Sequence, residues 1–175
     1  MRYTPCGGSL ATRLRLVIAM YPFVLSLHSI VRWAALVLGV VVALQAIGGV
    51  VAGRPYRARG GRLARIFVAV VDLQLLIGLS LYTVLSPIAR AAMQAPGAAM
   101  RSAGSRYWLL EHPLLAIVAV ALAHLGQILA ARAPDDARRW RRAAILFTLA
   151  TAAIALAIPW PFLPQGRPLW PLGAR

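Results

Sequence analysis

Three histidines are the residues of this sequence best suited to chemistry, because an imidazole can ligate a metal or carry a proton near neutral pH. They are His28, His112 and His124, and each lies within an apolar stretch of the chain. An ionisable group in such a stretch costs free energy unless it finds a partner, so each histidine marks a candidate site. The other ionisable side chains considered within these stretches are Arg32, Asp72 and Glu111, with Gln45, Gln74 and Gln127 nearby.

His28 and His112 form the first candidate site. His28 lies six residues after Pro22, where one apolar stretch begins, and His112 lies five residues after Tyr107, where another begins. At a helical rise of 1.5 Å per residue, both are about 8 to 9 Å from the outer end of their helices. A low-spin b-type haem needs two axial nitrogens on opposite sides of its ring at one depth. One hypothesis for this spacing is haem ligation by His28 and His112.

Two charged residues accompany this histidine pair. Arg32 lies one helical turn from His28 on the same face, and Glu111 directly precedes His112. We expect Arg32 to meet Glu111 or an anionic group such as a haem propionate or a quinone-site carboxylate. Arg32 and Glu111 are therefore predicted to contribute to cofactor binding.

A second polar cluster is predicted nearer the opposite end of the helices. Asp72 lies seven residues after Arg65 and His124 lies eight before Arg132, which places both about 10 to 12 Å inside their helices. They are expected to pair as carboxylate and imidazole. The side chains expected to complete this network are Gln45, Gln74 and Gln127.

Spacing alone leaves two interpretations of these residues open. One is a single haem held by His28 and His112, and the other is a buried polar network that only fixes the register of the helices. His112 and His124 are twelve residues apart, about 18 Å of helical rise, so they cannot ligate the same haem. Three histidines therefore allow one bis-histidine haem at most.

The elements that must position these residues are membrane helices. Of the 175 residues, 61% are apolar and 13% are charged, which leaves too little polar surface for a soluble globule of this size. Four apolar stretches approach or exceed the roughly 20 residues that cross a bilayer as a helix. We predict an all-α integral membrane protein, an antiparallel up-down four-helix bundle. Its predicted parts are helices at 22–51, 63–85, 107–131 and 143–160 within a domain at 20–162, an extension at 1–19 and a tail at 163–175.

The distribution of arginine predicts the orientation. The first and third connections hold five arginines each and the middle one holds three, so the positive-inside rule places the first and third in the cytoplasm and both termini outside. Residues 1–19 lack the h-region and cleavage site of a signal peptide. They also add arginines to the outer side, and a start at Met20 would remove them. The choice between Met1 and Met20 as the start stays open.

Several short motifs, taken in order, resemble a family of small four-helix bacterial membrane proteins that are often labelled cytochrome b-like. They are Leu27-His28-Ser29 with Arg32-Trp33, Leu73-Gln74-Leu75-Leu76 leading to Gly78, Tyr82 and Ser86-Pro87, Glu111-His112-Pro113, and Ile158-Pro159-Trp160. The similarity covers about Met20 to Phe162. It implies a cytochrome b-like bundle in the bacterial inner membrane, with haem b as cofactor and a quinone or a larger membrane complex as partner. Family members often have histidine at the position of Asp72, so a haem ligand in the second helix is not implied here.

Conventional enzyme motifs are absent from the sequence. It has no GxSxG, HExxH or phosphate-binding glycine loop, and its one cysteine, Cys6, rules out a CxxCH haem attachment. The arginine-rich connections are better explained as topology determinants than as nucleic-acid sites. The expected function is electron transfer through one haem near the outer face. The alternative is a non-catalytic membrane subunit or assembly factor whose polar residues form a structural network.

Overall fold

The computed structural model describes residues 10–56 and 58–168, and all regular structure within them is helical. This confirms the predicted all-α fold. Four long helices are present: α1 (Leu10–Val51), α2 (Ala58–Ser80), α6 (His112–Ala131) and α7 (Asp136–Leu156). Between α2 and α6 lie three short helices: α3 (Pro87–Gln94), α4 (Pro96–Arg101) and α5 (Ala103–Arg106).

Three helical runs in the described residues are long and apolar enough to cross a membrane. They are Ala19–Val51, Gly61–Leu85 and Ala103–Ala131. The fourth predicted span corresponds to α7, which begins at Asp136 rather than at the predicted 143. It begins earlier because the Asp135 carboxylate caps it, accepting the Arg138 backbone N–H at 2.8 Å. Its first turns are rich in arginine, so the apolar part that remains is short for a spanning helix.

The four long helices pack in a closed ring. α1 contacts α2, α2 contacts α6, α6 contacts α7 and α7 contacts α1, whereas the diagonal pair α1 and α6 do not pack together. α1 and α7 are antiparallel, because at the start of α7 the Trp140 indole N–H donates to the carbonyl of Arg54, just beyond the end of α1, at 2.7 Å. We call this end of the ring the arginine end. The opposite end, which carries His28 and His112, is the histidine end.

The hydrophobic core occupies the middle of the ring and the arginine end. Phe67 of α2 and Phe147 of α7 are fully buried, and their ring centroids are 5.9 Å apart. Most other core positions are alanines, whose small side chains let helices approach closely. Gly49 serves the same purpose, because a Cβ at this position would overlap the Trp140 indole.

At the histidine end, the predicted middle loop is instead folded into short helices. α2 widens into a π-helical turn at Leu81–Leu85, and α3 and α4 each begin with a proline, which suits a first turn because its missing N–H needs no partner there. The Ser86 hydroxyl accepts the Ala89 N–H at 3.3 Å and caps α3. α3 contacts both the π-helical turn and the segment Tyr107–Glu111 that precedes α6.

Pro113 lies in the first turn of α6, but the helical path has already begun in a π-helical turn at Tyr107–Glu111. Having no N–H, Pro113 cannot bond the carbonyl of Leu109 four residues earlier. The Tyr82 hydroxyl donates to that carbonyl from the end of α2 at 2.8 Å. A side chain of a neighbouring helix thus replaces the hydrogen bond that proline removes.

Candidate functional site

His28 and His112 face one another across the interior of the helix ring. Their ring centroids are 6.2 Å apart and the planes are inclined at 67°. α1 and α6 are diagonal partners in the ring, so the two imidazoles approach from opposite sides of the space between them. The depth estimate from the sequence agrees with this placement.

The imidazole of His112 is held in one orientation by the end of α7. Its Nδ1–H donates to the carbonyl of Ala157 at 2.9 Å, and the Tyr107 hydroxyl donates to the same carbonyl at 2.6 Å. Because a carbonyl only accepts, Nδ1 carries the proton and Nε2 carries a free lone pair in the neutral ring. The lone pair on Nε2 is the group that His112 can offer to a ligand.

The imidazole of His28 is held by α2. Its Nε2 lies 3.2 Å from the amide nitrogen of Gln74, which donates to it. Two polar atoms of this pair, Nδ1 of His28 and Oε1 of Gln74, are buried and have no hydrogen-bond partner within the described residues. Because Nε2 accepts from Gln74, Nδ1 of the neutral ring carries the proton, so the unpartnered atoms are one donor and one acceptor that a polar ligand would satisfy. Binding of a metal through His28 requires Nε2 to leave the Gln74 amide.

Gln74 thus belongs to this site, and its predicted place in the Asp72 network was wrong. Two residues along an α-helix correspond to a rotation of about 200°, so Asp72 and Gln74 lie on opposite sides of α2. Gln45 and Gln127 also stay outside the Asp72 network, since neither makes a side-chain hydrogen bond in the part of the chain that is described.

Gly78 provides the space for His28 against α2. A Cβ at this position would lie 3.0 Å from Cε1 of the imidazole, closer than side chains normally pack. The glycine therefore lets the ring lie directly on the α2 backbone, within reach of Gln74 one turn earlier.

Two adjacent cavities share the residues of this site. One, of about 400 Å³, lies at the histidine end. The other, which we call the inner cavity, is about 330 Å³; it lies among the four long helices and extends to the exposed side chains of Leu79 and Ile117. Their volumes are within the range of small-molecule binding sites. The residues that line both cavities are His28, Arg32, Gly78, Tyr82 and His112.

The cavity at the histidine end is positively charged. Arg32 is buried and lines it together with Arg167, whose guanidinium stacks 4.6 Å from the ring centroid of Trp108. The inner cavity is lined mainly by apolar side chains such as Val71 and Ile154. The combined space therefore has one apolar end and one cationic end.

Glu111 lies elsewhere than predicted. Its carboxylate accepts a hydrogen bond from Nε of Arg106 at 2.6 Å, with both side chains partly exposed, and it lines neither cavity. The expected pair between Arg32 and Glu111 is not formed. Glu111 pairs with Arg106 rather than with Arg32 because Arg106 lies five residues earlier along the same helical path.

Tyr82 and Arg167 were not predicted as site residues, and Gln74 was predicted for the other cluster. Gln74 and Tyr82 could have been found by helical spacing, because both lie one turn from Gly78 on the same face of α2. Arg167 gives no such signal, since it follows α7 in an irregular segment and reaches the cavity only through the tertiary fold.

No protein-family model, curated protein or solved structure matches this chain. Within the described residues, no group of three or more His, Cys, Asp or Glu side chains is arranged to hold a metal ion. The site thus offers two imidazoles, an amide and two guanidinium groups around a largely apolar cavity.

The second predicted cluster is confirmed as a pair. Nε2 of His124 donates to Oδ1 of Asp72 at 2.9 Å, joining α6 to α2. Both side chains are well exposed, at 45% for His124 and 40% for Asp72. The pair therefore lies on the outside of the helix ring, away from the two cavities.

Proposed function

We propose that this chain is a four-helix integral membrane protein in which His28 and His112 hold one b-type haem for electron transfer. In this proposal α7 is the fourth spanning helix, and the flexible stems of its arginines extend to the headgroup region. The arginine end faces the cytoplasm of a bacterial inner membrane and the histidine end faces outward.

The observation that carries the proposal is the arrangement of the two imidazoles. Two imidazoles can bind one metal between them, each through a nitrogen at about 2 Å. Their ring centroids are then about 6 Å apart. The centroids of His28 and His112 are 6.2 Å apart, and the helices that carry them are diagonal partners. Metal-binding histidines usually donate their other N–H to a carbonyl, as His112 does to Ala157.

The cavity lining supports the same ligand. Haem combines an apolar ring with two anionic propionates, and the combined cavity has an apolar interior and the guanidinium groups of Arg32 and Arg167 at the histidine end. These arginines would bind the propionates. When bound, haem supplies reversible one-electron chemistry at its iron.

The protein's own residues would set the conditions for that chemistry. Ala157 and Tyr107 would fix the His112 ring. Gly78 would leave room for the His28 ring, whose Nε2 would bind the iron in place of the Gln74 amide. The apolar side chains of the inner cavity would exclude water. A quinone in the bilayer or a larger membrane complex would exchange electrons with the site. The resemblance of the sequence motifs to those of cytochrome b-like proteins supports the proposal of a haem site.

A second candidate function is a non-catalytic membrane subunit or assembly factor. The hydrogen bond from Gln74 to His28 joins α1 to α2, and the bond from His112 to Ala157 joins α6 to the end of α7. Such bonds between helices stabilise membrane proteins without any cofactor. In this case substitution of either histidine would change stability or partner binding alone.

The test is a reduced-minus-oxidised visible spectrum of detergent-purified protein from cells supplied with a haem precursor. We expect a b-type signal in the wild type that is lost in both His28→Ala and His112→Ala. His124→Ala is the matched control, because His124 lies outside the cavities, and it should keep the signal. Folded, monodisperse wild-type protein without haem would refute the proposal and favour the structural subunit.

A further inference from the structure

The pair formed by Asp72 and His124 lies on an outer face of the helix ring, within two runs that are long and apolar enough to span a membrane. Ionisable side chains in spanning helices normally face a protein interior, a water-filled cavity or a polar partner. Here the side chains are 40% and 45% exposed on the α2 and α6 face. The two helices thus shield the pair only in part, and a partner on this face would remove the rest of it from lipid.

The pair has hydrogen-bonding capacity left for such a partner. His124 uses Nε2 and Asp72 uses Oδ1. Nδ1 of His124 and Oδ2 of Asp72 make no hydrogen bond within the described residues. In the imidazolium form of His124, Nδ1–H can donate to a carboxylate of the partner, and Oδ2 of Asp72 can accept from an imidazole or similar donor of the partner.

The side chains around the pair have complementary sizes. On α2, Ala69 lies three residues before Asp72 and Leu76 four residues after it, so all three share one face. On α6, Ala121 and Ile128 stand in the same relation to His124. All four flanking residues are exposed.

The antiparallel packing of α2 and α6 sets these residues at matching levels. Tyr82 bonds Leu109 at the histidine end, and Asp72 bonds His124 farther toward the arginine end, so the two helices run in opposite directions. At the level along the helix axes about 5 to 6 Å toward the arginine end from the ionisable pair, small Ala69 lies beside large Ile128. At the level about the same distance toward the histidine end, large Leu76 lies beside small Ala121.

We propose that a second copy of this chain docks on the α2 and α6 face around a two-fold axis along the membrane normal. A two-fold interface is self-complementary. It places α2 of each copy against α6 of the other copy. Each large side chain then meets a small one, and Asp72 of each copy meets His124 of the other copy. When both imidazoles are protonated, the four groups close a ring of alternating donors and acceptors. This interface requires the proposed membrane arrangement but not the haem.

The first test is the oligomeric state of labelled protein in dilute liposomes, counted by single-molecule photobleaching. We expect the wild type to be dimeric, and Asp72→Asn or His124→Asn to weaken dimerisation roughly 10- to 30-fold through the loss of two polar contacts. The double variant Asp72→His with His124→Asp exchanges the two residues. Each carboxylate still faces an imidazole of the other copy, so this variant should recover dimerisation. A monomeric wild type would overturn the proposal.

The second test does not depend on changing the pair. In a Cys6→Ser background, one copy carries Leu76→Cys and a second, differently tagged copy carries Ala121→Cys. A disulfide needs Cα atoms within about 7 Å, so we expect oxidation to crosslink this mixed pair at least fivefold more than copies that all carry Ile145→Cys on the exposed side of α7. Equal crosslinking of the control, or none of the mixed pair, would contradict the proposed face.

Discussion

The two ends of the helix ring are built differently. Around Phe67, Phe147 and Trp140, the middle and arginine end are filled with buried apolar side chains, and the indole N–H of Trp140 has a hydrogen-bond partner. At the histidine end, the helices surround two cavities, and polar atoms of His28 and Gln74 are buried and have no hydrogen-bond partner among the described residues.

This difference separates the part of the molecule that holds the fold from the part that is suited to bind a ligand. A filled core stabilises the helix ring but leaves no space for another molecule. A cavity with unsatisfied polar atoms lowers stability until a ligand occupies it. We therefore expect substitutions at the two ends to affect stability and binding in different proportions.

The largest effect on stability is expected from Phe147→Ala in the packed half. Phe147 is fully buried against Phe67 and Gly126. The loss of these contacts should lower the free energy of unfolding by about 2 to 4 kcal/mol. This is somewhat less than in a water-soluble core, because the unfolded reference in a micelle is also apolar. SDS-induced unfolding followed by helical circular dichroism measures the change.

The matched control for that variant is Leu149→Ala, which removes an exposed side chain of the same helix. It should change the free energy of unfolding by less than about 1 kcal/mol. Equal losses in the two variants would mean that the packed half does not hold the fold.

An intermediate effect is expected from Tyr82→Phe at the histidine end. This change removes the hydroxyl that bonds the Leu109 carbonyl beside Pro113, and it should lower the free energy of unfolding by about 1 kcal/mol. Tyr21→Phe is the control, because Tyr21 also lines the outer cavity but its hydroxyl makes no hydrogen bond within the described residues. Unfolding in SDS should show no change for the control. A Tyr82→Phe protein as stable as the wild type would show that the proline needs no substitute bond.

The smallest effect is expected from Glu111→Gln. The ion pair between Arg106 and Glu111 is 43% and 42% exposed, and solvent screening limits such pairs to about 0.2 to 1 kcal/mol. Unfolding at low and high salt should show a small loss that shrinks as salt rises. A large, salt-independent loss would instead mean that Glu111 has a structural role inside the site.

Part of the candidate site was predicted from the spacing of residues along single helices. The rise of 1.5 Å per residue sufficed to match the depths of His28 and His112, and of Asp72 and His124. The same arithmetic does not say which way a side chain points. For that reason Gln74 was assigned to the wrong cluster, and Glu111 was paired with Arg32 although Arg106 was nearer.

The sequence by itself determined the helical class, because its long apolar runs leave the backbone no polar partner except within each helix. It also predicted that His28 lies level with His112 and Asp72 with His124, since the level of a residue depends on its position along its helix. The tertiary structure decided which helices are neighbours and which are diagonal, and so which side chains meet. Arg167 in the cavity and Tyr82 beside Pro113 depend on contacts between distant segments, and local periodicity carries no information about such contacts.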